Sequence, residues 1–302
     1  MGAEAGSFCG ATETAVRAFQ HHRGLHEHGA CDEATWLALV EASWRLGDRP
    51  LKLVAPNMRG DDVGTLQSQL GKLGFDCGRV DGIFGHRTAT ALEDFQRNCG
   101  LEADGIAGPQ TSRALDAISS RTGSGPGVAT IREIEQLGNV GASLHDLRVV
   151  IGQFGGLSSL TRSIAQELRG RGAKVIAVDE LDPSLQAASA NRHAANVYVG
   201  FEAHADAQAT ISYYSTAGFE SAGGRSLAEK LVCSLDEAGK LRDVRSAGMR
   251  LPVLRETRMT AVVCSFGPVQ VVTDSAGTLG DAIVAALAAW AQSPTPLTSV
   301  ER

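Results

Sequence analysis

Apolar positions along this chain keep two different periods. Between residues 60 and 120 they fall three or four apart: Val63, Leu66, Leu70 and Leu73, then Leu92 and Phe95, then Leu115 and Ile118. That spacing lines one face of a helix, so three helices are predicted there, packed on one another through those side chains. Asp61 and Asp62 are suited to cap the first, and Gly74 to end it in a left-handed turn. Gly100 stops the second, and Pro109 suits the first position of the third. Beyond residue 144 the pattern changes. Continuous apolar runs at 147–151, 175–178, 197–201, 211–214 and 261–266 read as buried strands. Amphipathic stretches at 160–168, 185–194, 227–235 and 279–290 read as helices between them. The alternation predicts an α/β domain with a mostly parallel sheet and helices on both faces.

A repeat underlies the N-terminal part. AVRAFQHHRGLHEHGACDEATWLAL from Ala15 and ALEDFQRNCGLEADGIAGPQTSRAL from Ala91 align at an offset of 95 − 19 = 76 for Phe19 and Phe95. The offset also holds for Gln20 and Gln96, Gly24 and Gly100, Gly29 and Gly105, Thr35 and Thr111, Leu39 and Leu115. A fixed offset means a duplicated unit. The second copy is complete. In the first, MGAEAGSFCGATE ahead of Ala15 is small and polar and supplies no opening amphipathic helix: either the module has lost it, or Met1 is not the true start.

With 302 residues there is room for two or three domains. The reading is multidomain: a partial helical module at 1–48, a complete three-helix module at 56–119, a linker at 120–143, the α/β domain at 144–292 and a disordered tail at 293–302. Thr295 and Thr298 in that tail are accessible hydroxyls that a kinase would find. The 34 acidic and 28 basic residues leave a net charge of −6, which argues against nucleic acid as a partner. No apolar run reaches the roughly 18 residues of a membrane span. No basic stretch followed by an apolar segment opens the chain, and the six cysteines form no C-x-x-C pair. A cytoplasmic protein with reduced thiols is expected.

The strings D-G-I-F-G from Asp81 and F-Q-R-N-C-G-L from Phe95 resemble the small three-helix peptidoglycan-binding domain found beside many cell-wall hydrolases. The resemblance covers roughly residues 58–119 and implies peptidoglycan fragments or precursors as ligands. Asp81, Gly82, Phe84 and Gly85 are its loop residues; they are candidates for ligand contact, with holding the loop's shape the favoured role.

From residue 144 to 292 the order of segments resembles the zinc-dependent N-acetylmuramoyl-L-alanine amidases. LRVVIGQFGG stands where that family has a strand ending in D-P-G-H-G-G. SLQAASANRHAANVYVGFEAHAD matches its A-N…S-I-H-x-N segment, and LPVLRETRMTAVVCSFG matches V-L-R-x-T-x-x-P-x-x-L-x-E-x-G. Zinc-assisted amide hydrolysis needs three protein ligands, an open position for water and a carboxylate base. The family supplies His, Glu and His, with a late Glu as base. Here the GQFGG stretch has no His, and LSSL at 157–160 has no Glu. The second His position is Glu202, and the base position is Ser265. A serine hydroxyl does not take a proton near neutral pH as a carboxylate does. No catalytic residue and no cofactor are therefore expected. Zinc belongs to the alternative reading, a working amidase. Glu202, His204 and Asp206 alternate, and would share one face if the strand continued, as a remnant metal site.

Other clusters read as structural. His21, His22, His26 and His28 correspond in the repeat to Arg97, Asn98, Glu102 and Asp104, the residues of a solvated turn. Gly152, Gly155 and Gly156 do not make a G-x-G-x-x-G phosphate loop. Taken whole, the chain resembles the CwlM-type proteins, two binding modules joined to an amidase-like domain. The resemblance implies a pseudoenzyme that regulates peptidoglycan synthesis by touching a cell-wall synthesis enzyme.

Overall fold

The computed structural model describes residues 6–119, 127–140, 143–205 and 207–295. They form two compact units, Met1–Arg132 with Thr216–Phe219, and Glu133–Ser215 with Glu220–Arg302.

The first unit is helical: α1 (Gly10–Arg23), α2 (Glu33–Ala42), α3 (Asp61–Lys72), α4 (His86–Asn98) and α5 (Pro109–Ser119). Its core joins Val63, Leu66 and Leu70 of α3 to Leu92 and Phe95 of α4, Leu115 of α5, and Phe84 and Leu51. Phe75 stands edge-on to Phe95 at 5.7 Å. Burying each such side chain stabilises by about 1.5–3 kcal/mol, which a unit this small needs. Gly74 (φ 94°) and Gly100 (φ 68°) take the left-handed turns expected of them, and α5 does begin at Pro109. Two details differ from the sequence reading. Gly60, not an aspartate, precedes α3; Asp62 is buried and accepts from Arg49 Nε at 2.7 Å. Ile118 is exposed instead of inward, because α5 is near its end there.

α6 (Val128–Gly138) occupies much of the stretch expected as linker. Its apolar Ile131 and Ile134 are exposed and Leu137 is buried. Val128, Ile131, Ile134 and Leu137 do recur three apart, a helical spacing that the reading of 120–143 as linker passed over.

The second unit is α/β. The strands are β1 (Arg148–Gln153), β2 (Lys174–Asp179), β3 (Val197–Ala203), β4 (Ala209–Thr216), β5 (Phe219–Glu220), β6 (Val244–Met249) and β7 (Thr260–Phe266). The helices are α7 (Ser158–Gly170), α8 (Pro183–Arg192), α9 (Ala222–Ala238), α10 (Pro252–Glu256), α11 (Val269–Asp274) and α12 (Ala276–Gln292). Sheet order is β2-β1-β3-β7-β4-β5, with β6 on β4. β1, β2, β3 and β7 run parallel, and β4 runs against β7. Alternation along the strands splits their residues between two faces. Val149, Ile151, Val199, Phe201, Val262 and Cys264 meet α7, α9 and α12 in one core. Val150, Gly152, Tyr198, Gly200, Glu202 and Ser265 take the opposite parity. β6 was not foreseen: it carries Ala247 and Gly248 and is largely exposed, so it shows no apolar run. Thr295 is the last described residue; Thr298 and the rest of the tail lie outside the described residues.

Candidate functional site

In an open α/β sheet, ligands bind at the carboxyl ends of the parallel strands. Here those ends bring the predicted positions together. Glu202 on β3 pairs in register with Ser265 on β7, and Ser265 Oγ bonds Glu202 Oε1. Gly156 of the GQFGG loop lies beside the end of β3, where a Cβ added to it would stand 3.6 Å from that of Ala203. Of the four positions that the sequence resemblance singled out, one carries a carboxylate, Glu202, and it is engaged by a serine.

The ground behind Glu202 is filled. Tyr198 is buried and donates through its hydroxyl to Gln186 Oε1 at 2.6 Å. Gln186 Nε2 in turn donates to the carbonyls of Gln153 at 2.9 Å and Glu180 at 2.5 Å. This explains the glycines: a Cβ on Gly152 would come within 2.6 Å of the Tyr198 hydroxyl, and one on Gly200 within 2.8 Å. Burial, with the nearby negative Glu202 adding to it, pushes the Tyr198 hydroxyl and the Cys264 thiol well above their ordinary values. Both stay protonated at neutral pH, so Cys264 is not a nucleophile.

His204 follows the end of β3, so the alternation proposed from sequence is cut short. Its backbone N–H donates to Phe266 O at 3.0 Å. Its Nδ1 is buried and has no hydrogen-bond partner among the described residues. Asp206 lies outside the described residues. Among the described residues no three of His, Cys, Asp and Glu stand together as a metal site. The A-N motif proves to be a staple: Asn191 Nδ2 donates to Glu256 O and Asn191 Oδ1 accepts from Arg258 N, both at 2.9 Å.

In the helical unit, the loop residues singled out from sequence are turned inward. Asp81 Oδ1 accepts from Ile83 N at 2.9 Å and from Gln67 Nε2 at 2.9 Å. Gly82 takes φ 70° and donates its N–H to Gln67 Oε1 at 2.8 Å. Phe84 is wholly buried, and Gly85 precedes α4. The buried side chain of Phe84 presents nothing to a ligand.

A glutamine organises this loop and each of two others; Gln67 was passed over in the sequence, and Gln20 and Gln96 were aligned there without a role. Gln67 Nε2 also reaches Thr88 Oγ1 at 3.1 Å. Gln96 repeats the arrangement, accepting from Gly105 N at 2.9 Å and donating to Asp104 Oδ1 at 2.8 Å and Thr111 Oγ1 at 3.2 Å. Gln20 does so again with Gly29 N at 2.8 Å and Thr35 Oγ1 at 2.9 Å. The signal was present as D-G-I-x-G-x-x-T at both Asp81 and Asp104. The offset of 76 also extends further back than Ala15, to Gly6 and Gly82, Phe8 and Phe84, Thr12 and Thr88.

The chain matches the family described as "Putative peptidoglycan binding domain" over residues 1–39 and 59–115. It is similar to N-acetylmuramoyl-L-alanine amidase CwlM of Mycobacterium tuberculosis, with 38% identity over 287 residues, 84% of this chain and 70% of that protein. It is similar to the spore cortex-lytic enzyme of Bacillus cereus over 56 residues at 50% identity, 18% of this chain and 22% of that protein. Among solved structures, the N-acetylmuramyl-L-alanine amidase Ami1 of Mycobacterium smegmatis aligns with 48% of this chain and 97% of its own. That alignment has 13% identity and a TM-score of 0.42.

Proposed function

This chain belongs to the CwlM family of peptidoglycan-binding, amidase-like proteins, and from that premise we propose that it is a pseudoenzyme. It binds peptidoglycan fragments or precursors and regulates wall synthesis without hydrolysing them. One observation carries the reading. The positions of the family's second His ligand and its base are Glu202 and Ser265, bonded to each other on adjacent strands. A single carboxylate held by a hydroxyl does not retain zinc against water, and Ser265 takes no proton from an attacking water. The output is then contact with another protein, a cell-wall synthesis enzyme.

We place this activity in the cytoplasm. All six cysteines are free, and Cys31 and Cys233 are exposed, a state that reducing surroundings maintain.

The test is digestion. The purified chain, incubated with sacculi and added zinc, is predicted to release no stem peptides. The rival reading is a zinc-dependent amidase, and the name of the Mycobacterium tuberculosis relative favours it. Zinc-dependent release of stem peptides would establish that rival.

A further inference from the structure

We infer that the first turn of α7 and the Gln153 side chain beneath it form a subsite for a neutral amide group. The ligand's carbonyl is taken by the helix and its N–H by the glutamine. From Gly155 to Leu160 no backbone N–H has a hydrogen-bond partner among the described residues. Phe154 N, just before them, donates to Phe201 O at 2.9 Å, and Thr161 N, just after, to Leu157 O at 3.0 Å. α7 is 13 residues long, is preceded by Leu157 and has no acidic residue in its first turn, so its own side chains leave these donors unanswered. Gly156, Ser158 and Ser159 are exposed, which keeps the turn open. The start of α9 shows the alternative, a carboxylate in place: Glu133 Oε2 accepts from Ala222 N at 3.0 Å.

The second observation says what fits there. Gln153 ends β1, is only 6% exposed, and donates Nε2 to Ser158 Oγ at 2.9 Å, so its amide lies at the first residue of α7. Its Oε1 is buried and has no partner among the described residues. A buried carbonyl left without a donor is costly, and a ligand N–H brought to it recovers that cost on binding. Free donors on the helix and a waiting acceptor below it match the two polar ends of an amide, C=O and N–H.

Charge selects a neutral group over an anion. Asp179 on β2 and Phe201 on β3 flank Gln153 in register, and Glu180 follows the one and Glu202 the other. Residues 149–161 carry no lysine or arginine to offset those three carboxylates. A helix start attracts negative charge, but here like charges stand around it, and a neutral amide gains the hydrogen bonds without the repulsion. The inference rests on the function proposed above only for the source of the ligand. Peptidoglycan carries the group in two places, the acetamido arms of its sugars and the amides of its stem peptides.

The experiment is a nitrogen–proton NMR titration of the whole chain with N-acetylglucosamine, N-acetyl-L-alaninamide and sodium acetate, each to about 50 mM, the range in which single small groups bind. One or both amides should move the backbone signals of Gly155, Gly156 and Ser159 and the side-chain amide signal of Gln153, and acetate should not. Shifts with the sugar alone assign the subsite to the glycan, and shifts with the alaninamide alone assign it to the stem peptide. Gln153→Leu should weaken amide binding about tenfold or more. Ser159→Asp, at an exposed position, gives the turn a carboxylate of its own and should weaken binding similarly while the thermal midpoint holds or rises. If Gln153→Leu does not fold, Ser159→Asp decides alone. Absence of these shifts with both amides overturns the inference, as does acetate binding as tightly as the amides. Amide binding unchanged in the folded variants overturns it too. No sacculi and no zinc enter the titration, so its failure leaves the digestion result standing, and released stem peptides would leave the shifts standing.

Discussion

Ser265 on β7 and Glu202 on β3 face each other in register at the carboxyl edge of the sheet and share a hydrogen bond. The consequence is chemical. A carboxylate that accepts from a neighbouring hydroxyl has a structural partner, and the side chain expected to activate water is that partner.

If the two positions were the only losses, restoring them would restore the reaction. The double variant Glu202→His with Ser265→Glu is expected to release no stem peptide from sacculi in the presence of zinc, because the GQFGG loop and residues 157–160 still supply no ligand. Hydrolysis by this variant would show that the ligand positions are elsewhere. Ser265→Ala alone should cost about 1–2 kcal/mol of stability in urea unfolding, since it removes one partner of a charged group.

The three glutamine-held loops make a second prediction. Gln96→Ala leaves Gly105 N–H, Asp104 and Thr111 without their shared partner, and Gln67→Ala does the same at Gly82, Asp81 and Thr88. Each should destabilise the helical unit by about 1–3 kcal/mol, because a buried glutamine that ties a glycine N–H to an aspartate and a threonine loses all of those bonds at once. Asp81→Ala should lower sacculus binding only as far as it lowers the folded fraction. A binding loss with unchanged unfolding midpoint would instead make Asp81 a ligand contact.

Thiol reactivity separates the cysteines. Burial, helped by the charge of Asp81, pushes the Cys77 thiol up to about 12. At pH 8, Cys31 and Cys233 should react with a thiol reagent in the native protein, and Cys77 and Cys264 only after denaturant is added. The raised value in the folded state means that the neutral thiol is favoured by folding. That contribution is complete below pH 9, the ordinary thiol value, and fades as pH rises toward 12. Mass-spectrometric mapping of labelled peptides gives the order directly.

Asp32 caps α2 through Thr35 N at 2.8 Å. Partial burial works to raise its carboxyl, but the hydrogen bonds from Thr35 and His28 outweigh it, and the net direction is downward. The ionised cap thus contributes above the ordinary carboxylate value and is lost as pH falls through the depressed one. Asp32→Ala should cost about 1 kcal/mol at pH 7, and less at pH 3. An equal cost at both pH values would show that the carboxylate charge plays no part.

Much of this architecture was legible because buried strands announce themselves. The runs at 197–201 and 261–266 are apolar on both faces, since helices cover both sides of β3 and β7. β6 was not, because its residues lie mostly in the open and include Ala247 and Gly248. The site was read as separate positions: matching A-N at Ala190 and Asn191 singled out Glu202, the segment LPVLRETRMTAVVCSFG singled out Ser265, and the structure sets the two opposite each other. What sequence could not convey was the role of each residue. Gln20 and Gln96 each lie 9 residues before the glycine they hold, Gly29 and Gly105, whereas Gln67 lies 15 before Gly82, so the spacing of the glutamine does not carry over to the third clamp. Tyr198 and Gln186 fill the space over Gly152 only once α8 is folded onto the sheet, and no local pattern encodes that approach.

The central proposal is that this chain holds no zinc and hydrolyses no peptidoglycan. The most direct measurement is elemental analysis of the purified chain after dialysis against zinc and then against metal-free buffer, paired with assay of stem peptides released from sacculi. The account predicts well under one zinc per chain and no release. One zinc per chain together with released peptide would contradict it.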